Sequence, residues 1–240
     1  MQGATYRMTA RVVGAIYLAG FVVGIGGNVL IQSVLGAPEP LASVASRSLL
    51  VAIGALLWLI AVAGDAAHGV LMFPLLRQYG QRVALGYLAA RIFDAVFIAM
   101  WVLLTLSQVP LASQYVKAAP ADAASLQTLS TLAVQASQYA YDIGMIALGV
   151  GGLVLCYTLY TAKLVPRLLA VWGIAGYAII FCGMVSEVMG SGLGLASSIP
   201  AGLWEVSVGA WLIARGFSTP AIPSGASTIS LGHGVSTAQS

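Results

Sequence analysis

Charged residues are scarce in this chain of 240 residues: Asp, Glu, Lys and Arg make up 7% of it, whereas hydrophobic residues make up 60%. A soluble globular domain contains about 25% charged residues, and one of this size cannot bury so much apolar surface. The shortage of charged residues therefore excludes an ordinary soluble domain. A mean hydropathy of +0.95 instead predicts an integral membrane protein whose main partner is the lipid bilayer.

Cysteine and histidine are nearly as rare, with two residues of each. At 1.5 Å per helical residue, Cys156 and Cys182 lie roughly 10 and 22 Å from the nearest basic residues, too far apart for a disulfide. His233 belongs to the polar tail, so the sequence predicts no zinc-type ligand cluster and no haem held by a histidine pair. No lysine lies deep in an apolar run, which argues against a retinal Schiff base. We therefore expect neither a metal nor a cofactor.

Six apolar runs are long enough to cross about 30 Å of hydrocarbon as helices. They predict an all-α, polytopic membrane bundle of six transmembrane helices forming one domain, residues 1–217. The first run is too long for a signal peptide and is expected to be retained. The tail, 218–240, is polar and aperiodic, which predicts disorder. The predicted spans are 10–35, 48–73, 83–108, 132–161, 167–189 and 199–217.

Proline and glycine refine this pattern. The residues after Pro120 look helical and are expected to extend the fourth helix outward, while Pro166 and Pro200 are placed in the first turns of the last two helices.

Small residues let helices approach closely in lipid. Contacts between helices are therefore predicted at glycines of the first span, Gly20, Gly24, Gly26 and Gly27, and of the fourth span, Gly144, Gly149, Gly151 and Gly152.

The basic residues alternate between the two ends of the predicted helices. Seven lie at the N-terminus, in the second and fourth connections and at the C-terminal end, whereas only Arg47 and Lys117 lie on the opposite side. Cytoplasmic loops carry the excess of Lys and Arg in membrane proteins. Both termini are therefore predicted to be cytoplasmic. This distribution also argues against a nucleic acid partner, although the formal net charge is +3.

Five of the seven acidic residues lie inside predicted spans, where ionisable groups are costly and usually face a protein interior or a wet cavity. Counted from the basic ends, five ionisable groups fall about 13–18 Å deep, in one layer near the midplane. Residues three apart share a helix face, which pairs Asp65 with His68 and Arg91 with Asp94. The predicted ligand- or proton-binding site consists of Asp65, His68, Arg91, Asp94 and Glu205.

Two further acids form a predicted secondary group on the outer side. Asp142 and Glu187 fall about 30 Å from the cytoplasmic basic residues. The simpler interpretation is that they are solvated helix ends, and the alternative is a second functional group. Trp204, next to Glu205, either lines the midplane site or faces lipid.

Several short motifs resemble a bacterial membrane family catalogued as domain of unknown function 4386. The resemblance covers roughly residues 8–215 and implies a plasma-membrane protein of six or seven helices without assigning an activity. The third-helix acid of that family is more often glutamate, so Asp94 departs from the pattern. The motifs are Thr9-Ala10-Arg11 through Gly14, Tyr17 and Gly20; Leu75-Leu76-Arg77; Arg91-Ile92-Phe93-Asp94-Ala95; and Leu159-Tyr160 through Val165-Pro166-Arg167-Leu168-Leu169.

Three functions fit the predicted midplane site. The first is a small-molecule or proton-coupled transporter, or a ligand-binding membrane protein, with Arg91 holding an anionic group or acting as counter-charge and Glu205 or Asp65 carrying a proton. The second is an intramembrane enzyme that acts on a lipid or isoprenoid by carboxylate acid–base chemistry. The third is an accessory subunit whose charges only fix helix register. In the first two functions the expected ligand is a small molecule or a lipid. The sequence does not predict the oligomeric state.

Overall fold

The computed structural model describes residues 2–192 and 194–218, so the predicted disordered tail, except for Ser218, lies outside the described residues. The described chain is all-helical, with short connections. Its seven helices are α1 (Gln2–Leu35), α2 (Pro40–Leu76), α3 (Gln81–Leu106), α4 (Gln108–Tyr115), α5 (Pro120–Thr161), α6 (Arg167–Val188) and α7 (Gly194–Ala214).

Six long helices pack side by side in a closed ring. Each contacts its neighbours in the order α1, α2, α3, α5, α6, α7, and α7 returns to α1. The short helix α4 packs across α2 and α5 at one end of the ring. We call this end the α4 end. The α2–α3 and α5–α6 loops lie at the opposite end, where Ser218 N–H donates to the Leu164 carbonyl at 2.8 Å.

Five helical segments of the described chain are long and apolar enough to cross a membrane. This finding supports the predicted multi-pass character, since each segment can satisfy its own backbone hydrogen bonds within lipid. The sixth predicted span coincides in part with α7, and its crossing stays a prediction, as do the cytoplasmic termini. The five segments are Tyr6–Leu35, Pro40–Leu76, Gln81–Tyr115, Pro120–Thr161 and Arg167–Val188.

Several helix ends differ from the predicted spans because helices continue into polar sequence. Helix α2 begins at Pro40 and bends at Arg47, whose φ of −131° and ψ of 30° are not helical. Pro200 lies inside α7 rather than in its first turn. Pro166 is the N-cap of α6. The predicted helical extension after Pro120 is confirmed, since α5 runs from Pro120 to Thr161.

The extra length builds a layer of helix at the α4 end. At 1.5 Å per residue α5 is about 63 Å long, twice the thickness of the hydrocarbon. Its first turns pack against α4, where the buried Ser130 Oγ donates to Gln108 Oε1 at 2.6 Å. Gln127 Nε2 also donates to Tyr115 Oη at 3.0 Å. The α4 end therefore carries a layer of helix linked by polar contacts, of which α4 itself was not among the predicted helices.

Small residues mark only some of the helix contacts that the sequence predicts. A Cβ at Gly27 would come within 2.7 Å of the Gly54 carbonyl oxygen, so α1 and α2 touch through their backbones there. The glycines of α5 do lie against α3 and α6. A Cβ at Gly20, in contrast, would meet nothing within 4 Å. The predicted contact at Gly20 is therefore wrong, because this position faces open space.

Candidate functional site

Arg91 on α3 is the central charge of the ring interior. Its side chain is 4% exposed, and its Nη2 donates a charge-assisted hydrogen bond to Asp65 Oδ1 on α2. Gly69, one turn along from Asp65, allows this approach, since a Cβ there would lie 3.0 Å from Arg91 Cβ. Because α2 and α3 are neighbours joined by a short connection, Arg91 faces Asp65 across the contact between the two helices, while Asp94 lies one turn away on the helix of Arg91.

Asp94 is the most isolated acid of the site. It is 1% exposed, and its Oδ2 lies 4.0 Å from Arg91 Nη1, the long end of ion-pair range. Neither of its oxygens accepts a hydrogen bond from any described residue. A buried carboxylate without donors is costly, because it loses its hydration and gains little in exchange. Asp94 is thus the group whose charge the fold compensates least.

His68 is enclosed by tyrosines. The ring is fully buried, its Nδ1 lies 2.7 Å from Tyr87 Oη, and its centroid is 4.6 Å from that of Tyr17. His68 Nε2 and Tyr17 Oη have no partner among the described residues. Both residues line a small cavity of about 10 Å³, which is room for one water molecule.

Glu205 lies on α7 and is half-buried. Tyr177 Oη of α6 donates to Glu205 Oε1 at 2.7 Å. The neighbouring Trp204 is fully buried, and its Nε1 donates to the Leu169 carbonyl at 2.6 Å. Of the two predicted places for Trp204, the interior is therefore correct. The Trp204 ring lies 6.0 Å from that of Tyr17, so aromatic contacts connect the Glu205 side of the ring to His68.

The five predicted site residues thus form two subgroups rather than one cluster of charges. Asp65, Arg91 and Asp94 form an ion group between α2 and α3. His68 and Glu205 are connected through tyrosine and tryptophan side chains, and within the described part of the chain no ion pair joins Glu205 to Arg91. With every carboxyl ionised and His68 neutral, the three acids and one arginine would give the interior a net charge of minus two.

Of the two outer acids, Asp142 is not the solvated helix end that the sequence favoured, whereas Glu187 does lie at the end of α6 and is half-buried. Asp142 lies well within α5, is 1% exposed, and accepts from Gln138 Nε2 at 2.8 Å one turn earlier. Glu187 Oε2 accepts from the Gly194 N–H at 2.7 Å. It therefore satisfies one of the free N–H groups at the start of α7, where a negative charge is also favourable.

Sequence reasoning missed Tyr177, which holds Glu205. A usable signal was present, since Tyr177 follows Arg167 by ten residues and so lies about 15 Å along α6, the same predicted depth as Glu205. In the described part of the chain, no three His, Cys, Asp or Glu side chains converge in a way that could hold a metal ion. The side-chain groups that the site contains are carboxyl, imidazole, phenol and guanidinium.

The ring of apolar helices around buried ionisable side chains defines an all-helical integral membrane protein. The chain belongs to the family described as Domain of unknown function (DUF4386), whose model matches residues 12–216. This result agrees with the resemblance in the helix motifs. No curated protein and no solved structure matches the chain.

Proposed function

We propose that this protein is a proton-coupled transporter of a small molecule in a bacterial plasma membrane, with its site in the ring interior. The observation that carries the proposal is the excess of acid in the ring interior: it holds three carboxyl groups and one guanidinium, and Asp94 accepts no hydrogen bond from the described residues. Unbalanced charges are strongly destabilising in a membrane interior. A site of this kind gains stability when it binds a proton or a cation, which is what a coupled transporter needs.

The arrangement favours particular roles. Arg91 already pairs with Asp65, so we assign it the role of counter-charge rather than that of a receptor for an anion. Asp94 and Glu205 are the proposed proton carriers. The Arg91 guanidinium approaches Asp94 no closer than 4.0 Å, and within the described chain Glu205 accepts a hydrogen bond only from the Tyr177 hydroxyl. His68 and Tyr87 would connect the ion group to the aromatic interior.

The test measures proton flux in proteoliposomes that contain a pH-sensitive dye, with a potassium diffusion potential as the driving force. Wild-type protein should acidify the lumen faster than protein-free vesicles, and Asp94→Asn and Glu205→Gln should abolish the difference. Asp122→Asn, an identical change at an exposed acid near the start of α5, is the matched control and should behave as wild type. Wild-type flux equal to the vesicle background would contradict the proposal.

The accessory-subunit alternative also has a specific observation in its favour, the Arg91–Asp65 ion pair, which fixes the register of α2 against α3. It predicts that Asp94→Asn leaves every transport readout unchanged. The same flux experiment therefore separates the two functions.

A further inference from the structure

We propose that the ring interior binds one water molecule between His68 on α2 and Tyr17 on α1, and that this water connects the two helices. A water site of this kind goes beyond the proposed function, and it holds whether or not the protein transports protons. It is supported by a cavity of suitable size, by two buried polar atoms without a partner, and by a hydrogen bond that places the proton of His68.

The cavity lies where α1, α2, α5 and α7 meet, next to Phe217. Its volume of about 10 Å³ is the space that one water molecule requires. Seven of its ten lining residues are apolar, and the other three are Tyr17, His68 and Trp204. Trp204 is already paired, because its Nε1 donates to the Leu169 carbonyl at 2.6 Å. The side-chain partners for a guest in this cavity are therefore His68 and Tyr17.

Both residues have a polar atom to offer. His68 is fully buried and Tyr17 is 6% exposed, yet His68 Nε2 and Tyr17 Oη form no hydrogen bond with any described residue. Buried polar atoms in folded proteins are nearly always paired with the protein or with an ordered water. The centroids of the two rings are 4.6 Å apart, so one water can contact both residues. Two polar partners are enough to hold a buried water.

Tyr87 determines which nitrogen of His68 carries the proton. Tyr87 Oη lies 2.7 Å from His68 Nδ1, and among the described residues this nitrogen is the only acceptor that the hydroxyl has. The hydroxyl therefore donates to Nδ1, which must be the unprotonated nitrogen of a neutral imidazole. A fully buried ring without a bonded carboxylate stays neutral, because an unpaired buried charge is costly. The single proton of His68 is thus on Nε2, where it requires an acceptor.

Water fits this site better than an ion. None of the lining residues is an acid, and the Nε2–H of His68 would repel a cation. An anion would enter an interior that already holds three acids and one arginine. Water can accept from His68 Nε2–H and donate to Tyr17 Oη, so it satisfies both atoms without adding charge.

The experiment uses the scarcity of histidine. The chain has two histidines, so His233→Gln leaves His68 as the only one, provided that the purification tag contains none. Perdeuterated protein with ¹⁵N-labelled histidine, returned to H₂O in lipid bilayers, is examined by magic-angle-spinning NMR. The spectra report which ring nitrogen is protonated and whether the Nε2–H shows a cross-peak to a proton at the frequency of water.

We expect a protonated Nε2, an unprotonated Nδ1 and a cross-peak from Nε2–H to water. Val13→Ile adds a methyl group to a lining residue and should remove the cross-peak and shift the Nε2 resonance. Val22→Ile, the same change at a 70% exposed position of α1, is the control and should leave both unchanged. Val208→Ile repeats the test from the α7 wall of the cavity. Tyr17→Phe leaves the water with one partner and should weaken the cross-peak.

Four results would overturn the inference. Absence of the cross-peak in the protein with an unaltered cavity shows that no water contacts Nε2. Equal cross-peaks in Val13→Ile, Val208→Ile and Val22→Ile show that the exchanging proton does not belong to a guest of this cavity. A proton on Nδ1 refutes the direction of the Tyr87 hydrogen bond. An unchanged cross-peak in Tyr17→Phe shows that Tyr17 does not hold the water.

Discussion

Removal of the Arg91 charge provides the strongest test of the electrostatics of the interior. Arg91→Met keeps an unbranched side chain but leaves Asp65 and Asp94 without their cation. Breaking a buried ion pair by removal of one partner costs about 3–5 kcal/mol. We expect the lower figure, about 3 kcal/mol, because Asp65 is 31% exposed and can be hydrated in part. The remaining cost comes mainly from Asp94, which is 1% exposed and without hydrogen-bond donors in the described chain.

This difference in exposure predicts an unequal rescue. Adding Asp94→Asn to Arg91→Met removes the sealed charge, and we expect stability to return to within about 1 kcal/mol of wild type, as when both partners of a buried pair are neutralised. Adding Asp65→Asn instead should recover less, because it leaves Asp94 charged and sealed. The difference in burial between the two acids therefore predicts that the double variant with Asp94→Asn is the more stable of the two.

The assay follows thermal exposure of the buried Cys156 thiol with a fluorogenic maleimide, in detergent and in the Cys182→Ser background. A loss of about 3 kcal/mol corresponds to a fall in Tm of roughly 6–12 °C for a chain of this size. A fall of less than about 2 °C would show that the ion pair is not stabilising. Greater rescue by Asp65→Asn than by Asp94→Asn would refute the assignment of Asp94 as the uncompensated charge.

Two further predictions concern packing and capping. Gly152→Ala should lower stability by about 1–3 kcal/mol, because the new Cβ would overlap the Tyr177 ring. Gly86→Ala is the control and should be neutral or stabilising, since a Cβ there would meet nothing within 4 Å. The same thermal assay compares the two variants, and equal melting temperatures would contradict the Gly152–Tyr177 contact. Glu187→Ala should lower stability by about 0.5–2 kcal/mol, because it removes the hydrogen bond from the Gly194 N–H. Proteolysis of the α6–α7 connection should then be faster. Glu187→Gln keeps an acceptor and should retain most of the stability.

Helix existence was predictable because it depends on local composition. Apolar runs of sufficient length must be helical in lipid, since no water is present to bond a free backbone. Helix ends were less predictable. The start of α2 at Pro40 and the helix α4 lie in more polar sequence, and neighbouring helices cover one face of each, where Leu41 and Ala112 are buried. Gly20 illustrates the same limit, since a small residue signals close packing but does not say whether a partner lies opposite.

For the candidate site, spacing along each helix correctly placed Arg91 with Asp94 on one face of α3, and Asp65 with His68 on one face of α2. Depth arithmetic placed Glu205 at a similar level. It could not show that Glu205 would accept a hydrogen bond from Tyr177 and so lie apart from the ion group. Depth gives the position of a residue along the membrane normal, whereas its neighbours depend on the order of the helices in the ring. The interpretation of Asp142 as a helix end was wrong for a different reason. Helix α5 continues outward to Pro120, so Asp142 lies in the middle of the helix rather than at its end.

Membrane character, helical class and the presence of ionisable groups in the apolar runs could be read from the chain alone, because each depends on composition and on spacing along one helix. Which charges meet and which remain alone is set by the packing of the helices. This packing closes six helices into a ring, sets Arg91 against Asp65, seals Asp94 and leaves Asp65 partly exposed. The physical reason is that Coulombic compensation and access to water depend on distances between helices, which no single segment encodes.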